Sequence, residues 1–235
     1  MKGLLVRVGI DLTAGRWNAP VDPETLEFAY VPIPDRAQHP SLATPYARVA
    51  GALARFPSAP LPPALRRRPM HLDPDFAHLT YGDDGARRGR SLGALGRGDL
   101  VAFYAGLRPT RPIAHRLLYA LIGLYRVAEV VLARSVPKSR WGENAHTRRA
   151  RCGESDVVLR ADPARSGRLR RCLPIGGWRD GSYRVRLDLL ERWGPLSCRD
   201  GYLQRSAVPP SFREPERFLA WFEAQRPELL RANNP

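Results

Sequence analysis

The chain has 235 residues, of which 43% are hydrophobic, and a formal net charge of +15 at pH 7. This length and apolar content are sufficient for one domain with a sizeable core, and no apolar run reaches the roughly 18 residues of a membrane span. The excess of positive charge favours a polyanionic partner, nucleic acid or nucleotide, although charge that serves only solubility is the alternative. Because the first residues turn acidic without a cleavage signal, we expect a cytoplasmic protein.

Apolar alternation predicts strands, and apolar residues three to four apart predict helices. In chain order, the first half is predicted to contain a strand at 4–10, an edge strand at 28–33 and a helix at 46–56. The second half is predicted to contain strands at 100–104, 120–131, 155–159 and 169–175, a strand-then-helix segment at 183–193 and an amphipathic helix at 214–225. Loops or connectors are predicted at 58–69, 70–84, 87–97 and 133–151. We predict one domain over residues 1–230 and a disordered tail at 231–235.

The most informative segment is residues 98–131, GDLVAFYAGLRPTRPIAHRLLYALIGLYRVAEVV. A Gly-Asp turn precedes an apolar strand ending in Phe-Tyr, and Gly123 in the next strand marks a bulge or a close backbone approach. This order resembles the EVE, ASCH and YTH domains of the PUA-like group, and the whole chain resembles a nucleotide-modification-associated domain family, the third type. The resemblance implies an α+β fold built on a PUA-like, partly closed β-barrel with N- and C-terminal helical additions.

Aspartate and histidine accumulate in the N-terminal third, most densely in the segment HLDPD. His71, Asp73 and Asp75 of that segment are candidate catalytic residues, because carboxylates and imidazoles hold divalent ions or act as general bases. The alternative is that these aspartates only cap turns and helices. Since the three cysteines are widely spaced and no phosphate-loop or dinucleotide motif is present, no metal site and no cofactor are predicted.

The segment NAHTR at residues 144–148 places Asn144, His146 and Arg148 in a basic loop. Such side chains bond a base edge and a phosphate together, and His146 is also a candidate acid or base near neutral pH. The alternative is an exposed loop with arbitrary polar residues. Because a PUA-like barrel presents its strand-end loops on one rim, we expect His71, Asp73, Asn144 and His146 to meet in one cleft walled by arginine.

Aromatic residues beside arginine or asparagine are candidate base-stacking side chains, with packing in the core as the alternative for each of them. Trp17, Trp178 and Tyr202 are the preferred candidates, whereas Phe103 is expected to point into the core. Two Arg-Asp-Gly turns, at 179–181 and 199–201, offer backbone N–H groups and arginine to an anion. The residues predicted to bind nucleic acid are Trp17, Asn18, Tyr81, Asn144, His146, Arg148, Trp178, Arg179, Tyr202 and Arg205.

The resemblance implies that the chain binds nucleic acid or a nucleotide and recognises a modified base in a DNA or RNA modification or defence system. Two alternatives stay open. One is a nucleic-acid- or nucleotide-modifying enzyme that depends on a metal or on histidine and aspartate. The other is an interaction subunit of a modification complex, which would have a further protein as its partner.

Overall fold

The computed structural model describes residues 1–35, 38–86, 89–204 and 208–235. Its strands are β1 (Gly3–Arg7), β2 (Pro20–Val21), β3 (Ile33–Pro34), β4 (Met70–His71), β5 (Thr80–Asp84), β6 (Leu100–Pro109), β7 (Leu118–Leu132), β8 (Asp156–Ala161), β9 (Gly167–Pro174), β10 (Gly176–Arg179), β11 (Ser182–Val185) and β12 (Leu229–Leu230). Its α-helices are α1 (Ala50–Ala54), α2 (Pro63–Arg66), α3 (Gly89–Gly93), α4 (Leu187–Trp193) and α5 (Pro215–Ala224). Short 3-10 helices lie at Pro40–Leu42, Tyr46–Val49, Ala133–Ser135, Lys138–Glu143 and Arg199–Gly201.

One large sheet of eight strands organises the chain. Strands β1, β6, β7, β8 and β5 lie side by side in that order, while β9 pairs with β7 and β12, and β2 pairs with β6. The β1–β6 pairing is parallel, and β7 is antiparallel to β6, β8 and β9. The predicted α+β class is therefore confirmed. The described strands form an open path and close no barrel, so the PUA-like barrel stays a prediction.

The predicted strand pair is confirmed and is longer at both strands than the sequence indicated. The first eight residues of β6 are buried, as expected for a nearly continuous apolar run covered on both faces. The register between β7 and β9 shifts at Gly123, and a Cβ atom there would lie 2.7 Å from Cζ of Phe76. Gly123 therefore lies at a bulge and also permits the ring of Phe76 to pack directly against the backbone of β7.

Successive side chains of the central strands enter two separate cores on opposite faces of the sheet. In β6, Val101 and Phe103 belong to one core, whereas Ala102 and Tyr104 belong to the other. Helices α4 and α5 cover the second face through Trp193 and other apolar side chains. The first face is covered by the segments that precede β6, and these segments also carry the histidines and aspartates discussed below.

Several local predictions differ from the structure. The predicted helix at 46–56 is a 3-10 turn followed by a short α-helix, and the predicted edge strand at 28–33 is limited to β3. The predicted loop at 70–84 contains β4 and β5, because these polar residues pair with distant strands. The segment at 87–97 contains α3. None of the helices within the described ranges is long and apolar enough to cross a membrane.

Two C-terminal asparagines contact the core, and the disordered tail at 231–235 stays a prediction. The side chain of Asn233 accepts from the backbone N–H of Phe76 and donates to Asp75. The side chain of Asn234 accepts from the N–H of Tyr30 and donates to its carbonyl, at 2.8 Å in both cases. Asparagine side chains can both donate and accept hydrogen bonds, so each of these two residues pairs with two groups of the core.

Candidate functional site

His71 is fixed by the small β3–β4 ladder. Strand β4 pairs with β3 so that His71 lies opposite Ile33, and Asp35 follows directly after β3. The Nδ1 atom of His71 consequently lies 2.9 Å from Oδ2 of Asp35. A carboxylate at Nδ1 selects the tautomer that carries its proton there, which leaves the lone pair of Nε2 available on the opposite side of the ring.

His146 is fixed in the same manner by a different part of the sheet. It lies in the loop between the last 3-10 turn before β8 and β8 itself, and its Nδ1 atom is 3.0 Å from Oδ2 of Asp156. Asp156 is the first residue of β8 and lies opposite Asp84 in the β5–β8 ladder. The backbone N–H of His146 donates to Oδ1 of Asn144 at 2.9 Å, which orders the loop.

The two imidazoles meet at Asp73. Nε2 of His71 lies 3.8 Å from Oδ2 of Asp73, and Nε2 of His146 lies 3.7 Å from the same oxygen. The rings are 5.1 Å apart and nearly perpendicular. One imidazole nitrogen from each histidine and one carboxylate oxygen of Asp73 all lie within 4.8 Å of one another. We call His71, Asp73 and His146 the His–Asp centre.

Asp73 is held by neutral donors rather than by a cation. The backbone N–H of Gly82 lies 3.0 Å from both carboxylate oxygens, and Nδ2 of Asn144 donates to Oδ1 at 3.0 Å. A Cβ atom on Gly82 would lie 2.7 Å from Oδ1 of Asn144 and 2.7 Å from Cδ2 of His146. Glycine at this position in β5 therefore permits the close packing that assembles the centre.

Burial shifts the titration of the centre. Desolvation raises the pKa of Asp73 well above its usual value, despite the hydrogen bonds from Gly82 and Asn144. Desolvation also lowers the pKa of His71, although the hydrogen bond to Asp35 opposes this effect. For Asp156, burial raises the pKa, but the contacts with His146 prevail and the net shift is downward. His71 is thus favoured as a neutral imidazole, the form that can share its lone pair.

The His–Asp centre opens into a cleft of about 650 Å³, a size typical of small-molecule sites. Among the described residues two arginines line it: Arg7, paired with Asp11 at 2.9 Å, and Arg149, which lies 3.1 Å from Asp156. Asp83, Asp84 and the aromatic side chain of Tyr81 line it as well. The cleft therefore offers both cationic and acidic groups around two imidazoles.

The structure thus brings His71, Asp73 and His146 to one cleft, with Asn144 buried directly beneath them. Asp75 and Arg148 are different: they form a buried pair at 2.6 Å that does not line the cleft. Asp75 also accepts hydrogen bonds from His78 and from Asn233. This environment assigns Asp75 and Arg148 to the core rather than to the site.

The aromatic candidates separate into buried and exposed residues. Trp17 is only 7% exposed, and Asn18 is buried with Nδ2 donating to the carbonyl of Gly106. Trp178 is 46% exposed and lies with His115 and Tyr183 at the β10–β11 hairpin. Arg184 lies over the ring of Tyr202, and Arg179 donates to the carbonyl of Asp200. The predicted residue Arg205 lies outside the described residues.

A chain of rings connects the cleft with this hairpin. The guanidinium of Arg7 lies 5.7 Å from the ring of Tyr119. Tyr119 lies 4.5 Å from Tyr183, and Tyr183 lies 4.9 Å from Trp178, between ring centroids. The exposed Trp178 is therefore connected to the cleft through two tyrosines, Tyr119 and Tyr183, that are buried in the second core.

Four residues of the site were not among the sequence-based candidates: Arg7, Gly82, Arg149 and Asp156. Gly82 packs against Asn144 and His146, which are 62 and 64 positions away, whereas Asp156 contacts Arg149 and His146 within 10 positions along the chain. The one local signal for Asp156 is its position at the start of a predicted strand. Asp35, by contrast, belonged to the acidic series noted in the N-terminal third.

The fold and the site thus define an α+β domain with a largely buried His–Asp centre at a cleft of about 650 Å³. The model of the family described as nucleotide modification associated domain 3 matches residues 2–193. Because this match covers most of the chain, the protein belongs to that family, as the sequence resemblance predicted. The matched residues include the whole His–Asp centre. No curated protein and no solved structure matches the chain.

Proposed function

We propose that the chain is a nucleotide- or nucleic-acid-modifying enzyme whose reaction takes place at the His–Asp centre. The observation that carries this proposal is the pair of buried imidazoles, each held by a carboxylate at Nδ1 and each directing Nε2 at Asp73. Side chains with restricted orientation and perturbed titration in a cleft are typical of catalytic groups. The family supplies the context of nucleotide modification.

The walls of the cleft support a phosphorylated substrate. Arg7 and Arg149 carry guanidinium groups, which bind phosphate oxygens through paired N–H donors. Tyr81 supplies an aromatic surface beside the centre. Under this proposal, the two arginines bind the phosphate groups of the substrate. The part of the substrate that is modified then lies at Asp73, within reach of His146 and His71.

The test is a product analysis by mass spectrometry with wild-type protein, His146→Gln and His39→Gln. Each protein is incubated with mononucleotides and with single- and double-stranded oligonucleotides, in the presence of divalent ions. His39 is an exposed histidine outside the cleft and therefore serves as the matched control. We expect conversion by wild type and His39→Gln, and a roughly 100-fold or greater loss in His146→Gln. No product from any substrate, or full activity in His146→Gln, would refute the proposal.

A second candidate is a binding protein that recognises a modified base, the function expected of a PUA-like barrel. The exposed ring of Trp178 beside Arg179 and Arg184, in a chain of charge +15, favours this candidate. Binding of oligonucleotides that weakens steeply with salt, without any product, is the result that would support it over the enzyme. A role as an interaction subunit stays a prediction, which co-purification with a partner protein would test.

A further inference from the structure

We propose that the His–Asp centre binds one divalent first-row transition-metal ion through Nε2 of His71, Nε2 of His146 and the carboxylate of Asp73. This site departs from the sequence-based prediction that the chain holds no metal. The binding of the ion stands on geometry alone, whereas its part in a reaction rests on the proposed function.

The distances from Asp73 to the two imidazoles are near those of such a site, and all three ligand atoms lie within 4.8 Å of one another. In a tetrahedral site with bonds of about 2.1 Å, neighbouring ligand atoms lie about 3.4 Å apart. The measured separations of 3.7 Å and 3.8 Å between Asp73 and the two imidazoles exceed this value by a few tenths of an ångström. These separations are too long for direct hydrogen bonds, so each Nε2 faces the carboxylate across a gap.

The residues that hydrogen-bond to the three proposed ligands are also arranged as in known metal sites. Metal-binding histidines commonly donate their other N–H to a carboxylate, which fixes the ring and raises its basicity. Asp35 occupies this position for His71, and Asp156 occupies it for His146. Asn144 and the backbone N–H of Gly82 fix Asp73. All three ligands are therefore oriented before any ion arrives.

The charge around the centre favours a cation. Although the whole chain carries +15, the cleft is lined by four aspartates and two arginines among the residues that the structure describes. One of the two arginines, Arg149, is already paired with Asp156, and the other, Arg7, with Asp11. An ion at the centre would lie beside the buried carboxylate of Asp73 and would offset the cost of burying its charge.

The donor set selects the class of ion. Imidazole nitrogen suits Zn²⁺, Fe²⁺, Ni²⁺ and Cu²⁺, whereas Mg²⁺ and Ca²⁺ prefer sites made of oxygen. Three protein ligands leave further coordination positions, which would face the cleft. There an ion can polarise a substrate oxygen or lower the pKa of a bound water.

The test measures metal binding without reference to activity. Purified full-length protein is stripped with a chelator, and binding of Zn²⁺, Mn²⁺, Co²⁺ and Mg²⁺ is measured by titration calorimetry and by elemental analysis after dialysis. The variants are Asp73→Asn, His146→Gln and Asp156→Asn. His78→Gln is the matched control, because His78 also pairs with a carboxylate at 2.9 Å but lies outside the centre.

We expect one transition-metal ion per chain, with much weaker binding of Mg²⁺. Asp156→Asn should weaken binding by about 10- to 100-fold, as outer-shell changes do, and loss of a ligand should cost more than that. His78→Gln should bind as wild type does. If His146→Gln fails to fold, Asp73→Asn decides, because an amide can keep the hydrogen bonds from Gly82 and Asn144.

The proposal is overturned if folded wild-type protein binds no ion in stoichiometric amount, or if Asp73→Asn binds as tightly as wild type. Binding of the ion without conversion of any nucleotide would refute the proposed function and leave the metal site standing. Conversion of a nucleotide by folded protein that binds no ion would overturn the metal site and leave the proposed function standing.

Discussion

Removal of the charge from Asp75 should lower the stability of the protein strongly, whereas removal of the charge from Asp73 should leave it nearly unchanged. In the wild-type protein the guanidinium of Arg148 lies 2.6 Å from the carboxylate of Asp75. Asp75→Asn removes the negative charge and leaves this guanidinium buried without a counter-charge. Breaking a buried ion pair costs about 3–5 kcal/mol of unfolding free energy. At roughly 2–4 °C per kcal/mol for a protein of this size, the melting temperature should fall by about 6–20 °C.

Asp73→Asn should behave differently. Burial raises the pKa of Asp73, so the ionised carboxylate is disfavoured in the folded protein, and a neutral amide avoids that cost. Oδ1 of the new amide can still accept from Gly82 and Asn144. The free energy of unfolding should therefore change by less than about 1 kcal/mol, or roughly 4 °C.

The assay is thermal and denaturant unfolding of both variants by circular dichroism without added metal, alongside the metal-binding titration. Asp73→Asn should keep its stability and lose the ion, whereas Asp75→Asn should lose stability and keep binding at temperatures where it is folded. Equal loss of stability in both variants would show that Asp73 is a structural residue. A wild-type melting temperature in Asp75→Asn would refute the reasoning about Arg148.

Two further predictions concern the aromatic surface and pH. Trp178→Ala should weaken binding of a single-stranded oligonucleotide, measured by fluorescence anisotropy, by about 1–3 kcal/mol with an unchanged melting temperature, because the ring is 46% exposed. The control Trp17→Ala should instead lose about 3–5 kcal/mol of stability, and equal effects on melting would contradict the distinction. The hydrogen bond to Asp75 raises the pKa of His78, so its stabilising contact is fully present below about pH 6.5 and weakens as the pH rises through the shifted value. The difference in unfolding free energy between wild type and His78→Gln should therefore shrink as the pH rises above the raised pKa of His78. A constant difference from pH 5 to 9 would contradict a stabilising contact between His78 and Asp75.

The sequence predicted the elements that depend on local patterns and missed those that depend on distant pairing. Alternating apolar residues identified the β6–β7 pair, and helical spacing identified α5. The β5 segment TYGDD was predicted as loop, because its glycine and aspartates disfavour strands in isolation. Its pairing with β8 overrides that preference. Individual residues follow the same rule: the HLDPD and NAHTR segments are apparent from the sequence, whereas the contact between Gly82 and His146 depends on the distant pairing of β5 with β8.

The contrast between Asp73 and Asp75 also bears on why the centre exists. The chain satisfies the buried carboxylate of Asp75 with a guanidinium, an imidazole, an asparagine amide and backbone N–H groups. Within the described ranges no arginine or lysine pairs with Asp73, and Oδ2 faces two Nε2 atoms beyond hydrogen-bond distance. A residue retained only for stability would gain from a cation or an apolar replacement at that position. The cost of burying Asp73 beside two oriented imidazoles is therefore best explained by a ligand that the three residues bind together.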